Sequence, residues 1–227
     1  MACWYLYRQQ QPIVLWVNTG KAYPETISII NRVRQDAHRF VELMSDQQSQ
    51  VEEHGLPSDL VPIDNTVFGA QFSRMGETRI QSYLQCCHDN IWKPLMDGAK
   101  AHGVTQLICG QRDEDSHKAP VRNGHIVDGI QRLQPIEKWT SDEVLAYLRE
   151  QMGELPEHYA LEHSSMDCYD CTAYAAHSHD RVAYMRERHP ALYADYSDKL
   201  TRLCAAINTP LEHYRRLLLP DVIQNEK

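Results

Sequence analysis

Apolar and polar positions alternate along this chain in blocks that predict its elements. Trp4, Tyr5, Leu6 and Tyr7 are too apolar for a free tail and no N-cap precedes them, so residues 1–10 read as the end of a helix. Pro12-Ile13-Val14-Leu15-Trp16-Val17 is a continuous apolar run, the pattern of a buried parallel strand. It ends in Asn18-Thr19-Gly20, a turn suited to the carboxyl edge of a sheet. Pro24-Glu25-Thr26 opens a helix with Pro in its first turn and Ile27, Ile30 and Val33 on one face. Phe40 to Met44 is the next strand. A strand–helix–strand unit of this kind closes as a right-handed parallel crossover.

The stretch from Gln47 to Thr78 is polar and punctuated by Gly55, Pro57, Pro62, Gly69 and Gly76, which predicts a short helix followed by a long loop. A helix over Ile80 to His102 carries Cys86 and Cys87, with Pro94 marking a kink or restart. Val104 to Cys109 is another apolar strand, leading into Gly110-Gln111-Arg112. Ile130 to Ile136 predicts a short strand, and Thr140-Ser141-Asp142-Glu143 a capped helix through about Gln151. After Gly153 the pattern changes. Pro156 to Met166 has no clear period, and Ala173 to Leu219 is Tyr- and Arg-rich and mostly helical, interrupted by Pro190 and Pro210. The fold class that follows is α/β, a parallel sheet flanked by helices with a helical C-terminal segment. The division predicted is an α/β domain over 1–153 and a helical segment over 154–227.

Composition narrows the setting. The 227 residues can hold one α/β domain plus an appended segment. No apolar run approaches the roughly 20 residues that span a bilayer, and Met1 to Arg8 lacks the basic start and cleavage site of a signal peptide. The expected location is the cytoplasm, with no membrane partner. A net charge of −8 argues against a broad nucleic-acid surface.

In a reducing compartment the seven cysteines favour metal binding over a disulfide framework. Four of them form two clusters, Cys86-Cys87 and Cys168-Tyr169-Asp170-Cys171, with 80 residues between. A Cys-x-x-Cys turn brings two thiolates to one metal, and a second pair completes a four-sulfur site. Adjacent cysteines diverge around a single tetrahedral ion, whereas an iron–sulfur cluster offers separate iron corners. The alternatives are a buried Cys-Cys pair with an unrelated redox-active Cys-x-x-Cys, and zinc on Cys168, Cys171 and histidines such as His177 and His179.

Five segments, in order, resemble the sulfonucleotide reductase family, which comprises adenylyl-sulfate and phosphoadenylyl-sulfate reductases. Val17-Asn18-Thr19-Gly20 followed by Pro24-Glu25-Thr26 is similar to its V-D-T-G and P-E-T segment, and Cys86-Cys87 with Pro94-Leu95 to its C-C and P-L helix. Gly110-Gln111-Arg112 with Ser116 matches G-Q-R-x-x-x-S, Pro135 to Thr140 matches P-I-x-x-W-T, and Cys168 to Thr172 looks like C-x-x-C-T. The resemblance implies a PP-loop adenine-nucleotide fold in the α/β domain. It also implies a [4Fe-4S] cluster on Cys86, Cys87, Cys168 and Cys171, with zinc as the alternative. By the same resemblance Asn18, Thr19, Gly20, Gly110, Arg112 and Ser116 border an adenine nucleotide or sulfonucleotide, and a thioredoxin-like protein is the electron donor. A strand-end turn suits a ligand in an open α/β sheet, and a guanidinium is a natural partner for an oxyanion. For Arg112 the competing reading is a loop residue paired to Asp113 or Asp115.

The chain departs from the family pattern in three places. The S-G-G-K-D-S phosphate loop should end where Met1 begins, so it either lies upstream or is lost. No E-C-G-x-H cysteine follows Cys204, which sits in an apolar helical setting expected to bury it as a quiet thiol. A second arginine after G-Q-R is Asp113 here, and a basic residue after the paired cysteines is Ile91, with Lys93 two positions on. The functional readings are therefore a sulfonucleotide reductase-like protein, a PP-loop enzyme of ATP-dependent sulfur transfer, or a non-catalytic metal-binding relative.

Overall fold

The computed structural model describes residues 1–59, 78–115, 121–160, 168–174 and 179–218. These belong to two compact units that interleave along the chain. The first comprises Met1–Asn18, Tyr23–Ser45 and Ile91–His163, and the second Thr19–Ala22, Asp46–Asn90 and Ser164–Lys227.

In the first unit, helix α1 (Ala2–Tyr7) runs into a 3-10 turn and then strand β1 (Ile13–Asn18). Helix α2 (Pro24–Asp36) returns the chain to β2 (Arg39–Met44), which pairs parallel with β1 from Ile13↔Arg39 to Asn18↔Met44. The expected crossover is therefore present. Of the three apolar positions anticipated on α2, Val33 is buried but Ile27 is 40% exposed, so the buried stripe begins later than its spacing suggests. Helix α5 (Lys93–Ala101) packs on both β1 and β2. Strand β5 (Gln106–Ile108) pairs parallel with β7 (Ile130–Leu133), and β6 (Ile126–Val127) adds an antiparallel edge. Ala99, Leu107 and Ile130 form the core here, with Leu15, Leu95 and Val104 around them. Helix α6 (Ser141–Met152) starts on the anticipated capping box, in which Thr140 accepts from the Glu143 N–H and the Glu143 carboxylate from the Thr140 N–H. Its Leu148 packs with Ala2 of α1 and Ile136.

In the second unit, helix α3 (Gln47–His54) is N-capped by Asp46, whose carboxylate accepts from Ser49 N–H at 3.0 Å. Strand β3 (Leu56–Ser58) follows and pairs parallel with β4 (Ile80–Ser82). Neither short strand is visible in the sequence pattern. Helix α4 (Tyr83–Cys87), a π-helical turn (His88–Trp92) and α5, with Pro94 in its first turn, make up the helical run expected over Ile80 to His102 with its restart at Pro94. The C-terminal helices are α7 (His179–Arg188) and α8 (Pro190–Leu218). Pro190 opens α8, where its missing N–H costs nothing, and Pro210 lies within α8 rather than ending it. Leu56, Ile80 and Leu203 make this unit's core, flanked by Val51, Leu200, Ala206 and Ile207. No helix among the described residues is long and apolar enough to cross a membrane.

Candidate functional site

All seven cysteines lie among the described residues, and none is in a disulfide. Cys86, Cys87, Cys168 and Cys171 all fall in the second unit. Ser82 caps α4 by accepting the Leu84 N–H at 3.2 Å, which fixes the start of the turn that presents the adjacent pair. The π-helical turn directly after Cys87 puts Asn90 in reach of Cys86: its Nδ2 donates to the Cys86 carbonyl at 2.9 Å and to Cys86 Sγ at 3.7 Å.

The Cys-x-x-Cys is a tight turn, with Cys171 N–H directed at Cys168 O at 3.4 Å. Three anchors hold it. Thr172 Oγ1 donates to Pro57 O at 2.6 Å, Tyr169 N–H donates to Lys21 O at 2.9 Å, and the buried Arg181 donates from Nη2 to Cys171 O at 3.0 Å. Asp170, buried within the turn, takes the Lys199 ammonium at 2.5 Å and Lys21 at 3.7 Å on its Oδ2. The turn is thus tied to chain segments more than 100 residues before it and to both C-terminal helices.

Burial pushes the Cys171 thiol up to about 11, against the nearby Arg181 charge, which lowers it. Burial also raises Cys86, and negative charge on Cys171 or Cys87 would raise it further. These sulfurs are therefore close enough to feel one another. Two more sulfurs have side-chain partners. Thr19 Oγ1 is 3.7 Å from Cys168 Sγ, and Tyr174 Oη is 3.7 Å from Cys87 Sγ. Among the described residues, no three His, Cys, Asp or Glu side chains are placed to hold one metal ion. His177 lies outside the described residues, as does the side chain of His179.

The expected nucleotide-contact residues divide between the units. Thr19 and Gly20 belong to the second, where Thr19 is buried and also accepts the Lys21 N–H at 3.3 Å. Asn18, Gly110 and Arg112 belong to the first. Asn18 Nδ2 donates to Glu42 at 2.7 Å. Gly110 follows β5, and a Cβ there would lie 3.7 Å from Cys3 Sγ, an ordinary contact. Arg112 binds Asp115 at 3.1 Å, Glu114 at 3.4 Å and Ser141 Oγ at 3.0 Å, so its guanidinium is already engaged by carboxylates. The partner is Asp115, while Asp113 pairs with Lys138 at 2.5 Å. Ser116 lies outside the described residues. Cys204, expected to be buried, is exposed. The inward position on α8 is its neighbour Leu203, because a helix turns successive residues by about 100°.

Sequence reasoning missed Asn90, Tyr174, Arg181 and the Lys21–Asp170–Lys199 group. Asn90, four residues after Cys86 on a helical stretch, carried a usable spacing signal. The others meet the cysteines through tertiary contacts that no local pattern encodes.

These features define an α/β protein built on parallel strand pairs, with two distant cysteine pairs collected in one compact unit. A family model of the phosphoadenosine phosphosulfate reductase domain matches residues 1–174, and the chain belongs to that family. It is also similar to the adenosine 5'-phosphosulfate reductase of Burkholderia cepacia, at 28% identity over 163 residues. That match takes in 69% of this chain and 58% of the relative, so the chain spans well under two thirds of that protein's length.

Proposed function

We propose that this chain is a sulfonucleotide reductase-like protein of sulfur metabolism, which binds an adenine nucleotide or sulfonucleotide beside a [4Fe-4S] cluster on Cys86, Cys87, Cys168 and Cys171. The observation that carries the reading is the collection of both cysteine pairs in one compact unit.

The donor set suits that group. Four thiols are a donor set for iron–sulfur or zinc chemistry. One tetrahedral zinc needs sulfurs roughly 3.8 Å apart, from its 2.3 Å bonds, and the described side chains offer no such three-ligand grouping. In a four-iron cluster each thiolate would take its own iron corner, so adjacent Cys86 and Cys87 would not have to share one ion. Three of the four sulfurs have an N–H or O–H at 3.7 Å, the kind of contact that orients ligands and tunes a cluster. Binding would displace the protons that burial now holds on Cys86 and Cys171. When bound, the cluster would supply a redox-capable iron–sulfur centre beside the nucleotide.

In this reading the reaction is reductive release of sulfite from a sulfonucleotide, with electrons from a thioredoxin-like donor in the cytoplasm. Thr19 and Gly20 belong to the same unit as the four cysteines, and Thr19 Oγ1 is 3.7 Å from Cys168 Sγ. Arg112, to meet an anionic substrate, exchanges Asp115 and Glu114 for the substrate's oxyanion.

Two measurements test the proposal. Anaerobically purified protein should contain about four irons and four acid-labile sulfides per chain, lost in both Cys87→Ser and Cys171→Ser. Zinc that survives Cys87→Ser but not Cys171→Ser would uncouple the pairs and end the cluster reading. Sulfite released from either sulfonucleotide with thioredoxin supports the reductase. AMP or pyrophosphate released from ATP, with no sulfite from either sulfonucleotide, would replace it with ATP-dependent sulfur transfer.

A further inference from the structure

Tyr174 stands three residues beyond the Cys-x-x-Cys and is one of three non-glycine residues with a positive φ among the described residues, at 63°. An aromatic side chain in the left-handed region costs about 1 kcal/mol or more, so surrounding contacts must hold it there. Two such contacts are present. The Tyr174 ring meets the Tyr83 ring edge-on, with centroids 5.3 Å apart and planes at 63°. Its hydroxyl lies 3.7 Å from Cys87 Sγ. Tyr83 is the first residue of α4, the helix that presents Cys86 and Cys87. The two tyrosines therefore brace the adjacent-cysteine helix against the end of the Cys-x-x-Cys segment.

From this arrangement we infer that Tyr174 is a positioning residue that donates its hydroxyl proton to the Cys87 sulfur and thereby sets the reduction potential of a cluster held there. The inference rests on the cluster reading proposed above. The direction of the hydrogen bond follows from the chemistry of the pair. With both groups protonated, either can donate; once Cys87 is a metal-bound thiolate its sulfur only accepts, and the phenol is the donor. A donor to a ligand sulfur stabilises the added negative charge of the reduced cluster, so it raises the potential. Cys86 and Cys168 receive comparable contacts from Asn90 and Thr19. Tyr174 is the partner of Cys87, the more exposed member of the adjacent pair.

Tyr174→Phe removes the hydroxyl and keeps the ring that packs on Tyr83. Iron and sulfide content, the midpoint potential and the Fe–S(Cys) stretching bands are compared with the parent protein, all prepared anaerobically. The expected result is unchanged iron and sulfide, a more negative potential, and Fe–S(Cys) bands moved to higher frequency as one sulfur loses its donor. Equal potentials and equal bands at full iron content would overturn the role of Tyr174 and leave the cluster reading intact. No iron or sulfide in the parent protein would overturn both, and the metal analysis separates the two failures.

Discussion

Leu203 and Cys204 are neighbours in sequence with opposite surroundings: Leu203 is 1% exposed in the core of the second unit, while Cys204 faces solvent. Cys3, by contrast with exposed Cys204, is partly buried. Burial, the largest influence, pushes its thiol up to about 11, and its Sγ sits 3.6 Å from the Cys109 carbonyl. A thiol with that value is about one part in a thousand thiolate at pH 8, and the thiolate is the reactive form. Alkylation at pH 8 followed by peptide mapping should therefore label Cys204 first and leave Cys3 nearly unmodified, with Cys3 labelling rising as pH approaches 11. Early labelling of Cys3 at pH 8 would show that α1 does not hold its packed position. No local pattern marks Cys204 as exposed. An apolar run such as Leu203-Cys204-Ala205-Ala206 marks a helix with a buried side, but only the packing of α8 on Leu56 and Ile80 selects which residue turns inward.

At the scale of elements, two glycines show why local propensity is a weak guide. Gly98 lies inside α5, where alanine would ordinarily be preferred by about 1 kcal/mol. A Cβ there would come within 2.4 Å of Leu43 Cδ1 and 3.1 Å of its Cγ, so α5 approaches β2 as closely as it does because the residue is glycine. Gly98→Ala is expected to destabilise the protein by about 1–2 kcal/mol despite its helix propensity, read as a lower urea midpoint. A midpoint unchanged or raised would mean that Leu43 repacks without cost. Gly55 has a φ of 102° and its Cβ position lies 2.3 Å from the Arg79 backbone, which admits the β3–β4 pairing. That pairing was not legible because three-residue strands carry too little alternation to register. By contrast β1, α2, β2 and α6 were legible almost to the residue, since each combines a long apolar pattern with a cap, a proline or a turn at its boundary. The helix carrying Cys86 and Cys87 was legible as helix, but its π turn was not. That turn is stabilised by Asn90 reaching the Cys86 carbonyl rather than by any residue's intrinsic preference.

At the scale of the whole molecule, Lys199 links parts of the chain that are far apart in sequence. Its ammonium holds Asp170 of the Cys-x-x-Cys at 2.5 Å and Asp195 of its own helix at 3.0 Å, and Asp170 also meets Lys21. Burial pulls the Lys199 pKa down, but the hydrogen bonds and charges of Asp170 and Asp195 outweigh it and hold the group above its usual value. A base whose folded pKa is raised contributes stability that is fully present below its unfolded value near 10.5 and is lost as pH rises through the folded one. Lys199→Met should lower stability by about 2 kcal/mol at pH 7, since it leaves buried Asp170 with the more distant Lys21 alone, and the deficit should shrink above pH 11. Denaturation of both proteins at pH 7 and pH 11 checks this, and a pH-independent deficit would assign the loss to packing of the lysine stem instead.

The sequence by itself determined the order and type of most elements, the two cysteine pairs, and the motifs that place the chain in the phosphoadenosine phosphosulfate reductase domain family. Each of these is written in residues within a few positions of one another, where apolar period, caps and turn residues act. Tertiary structure alone decided the interleaving of the two units along the chain and the partners given to the Cys168 and Cys87 sulfurs by Thr19 and Tyr174. These two sulfur contacts join residues 149 and 87 positions apart. Their geometry is fixed by how buried surfaces close on one another, and a linear pattern of apolar and polar residues does not carry that information.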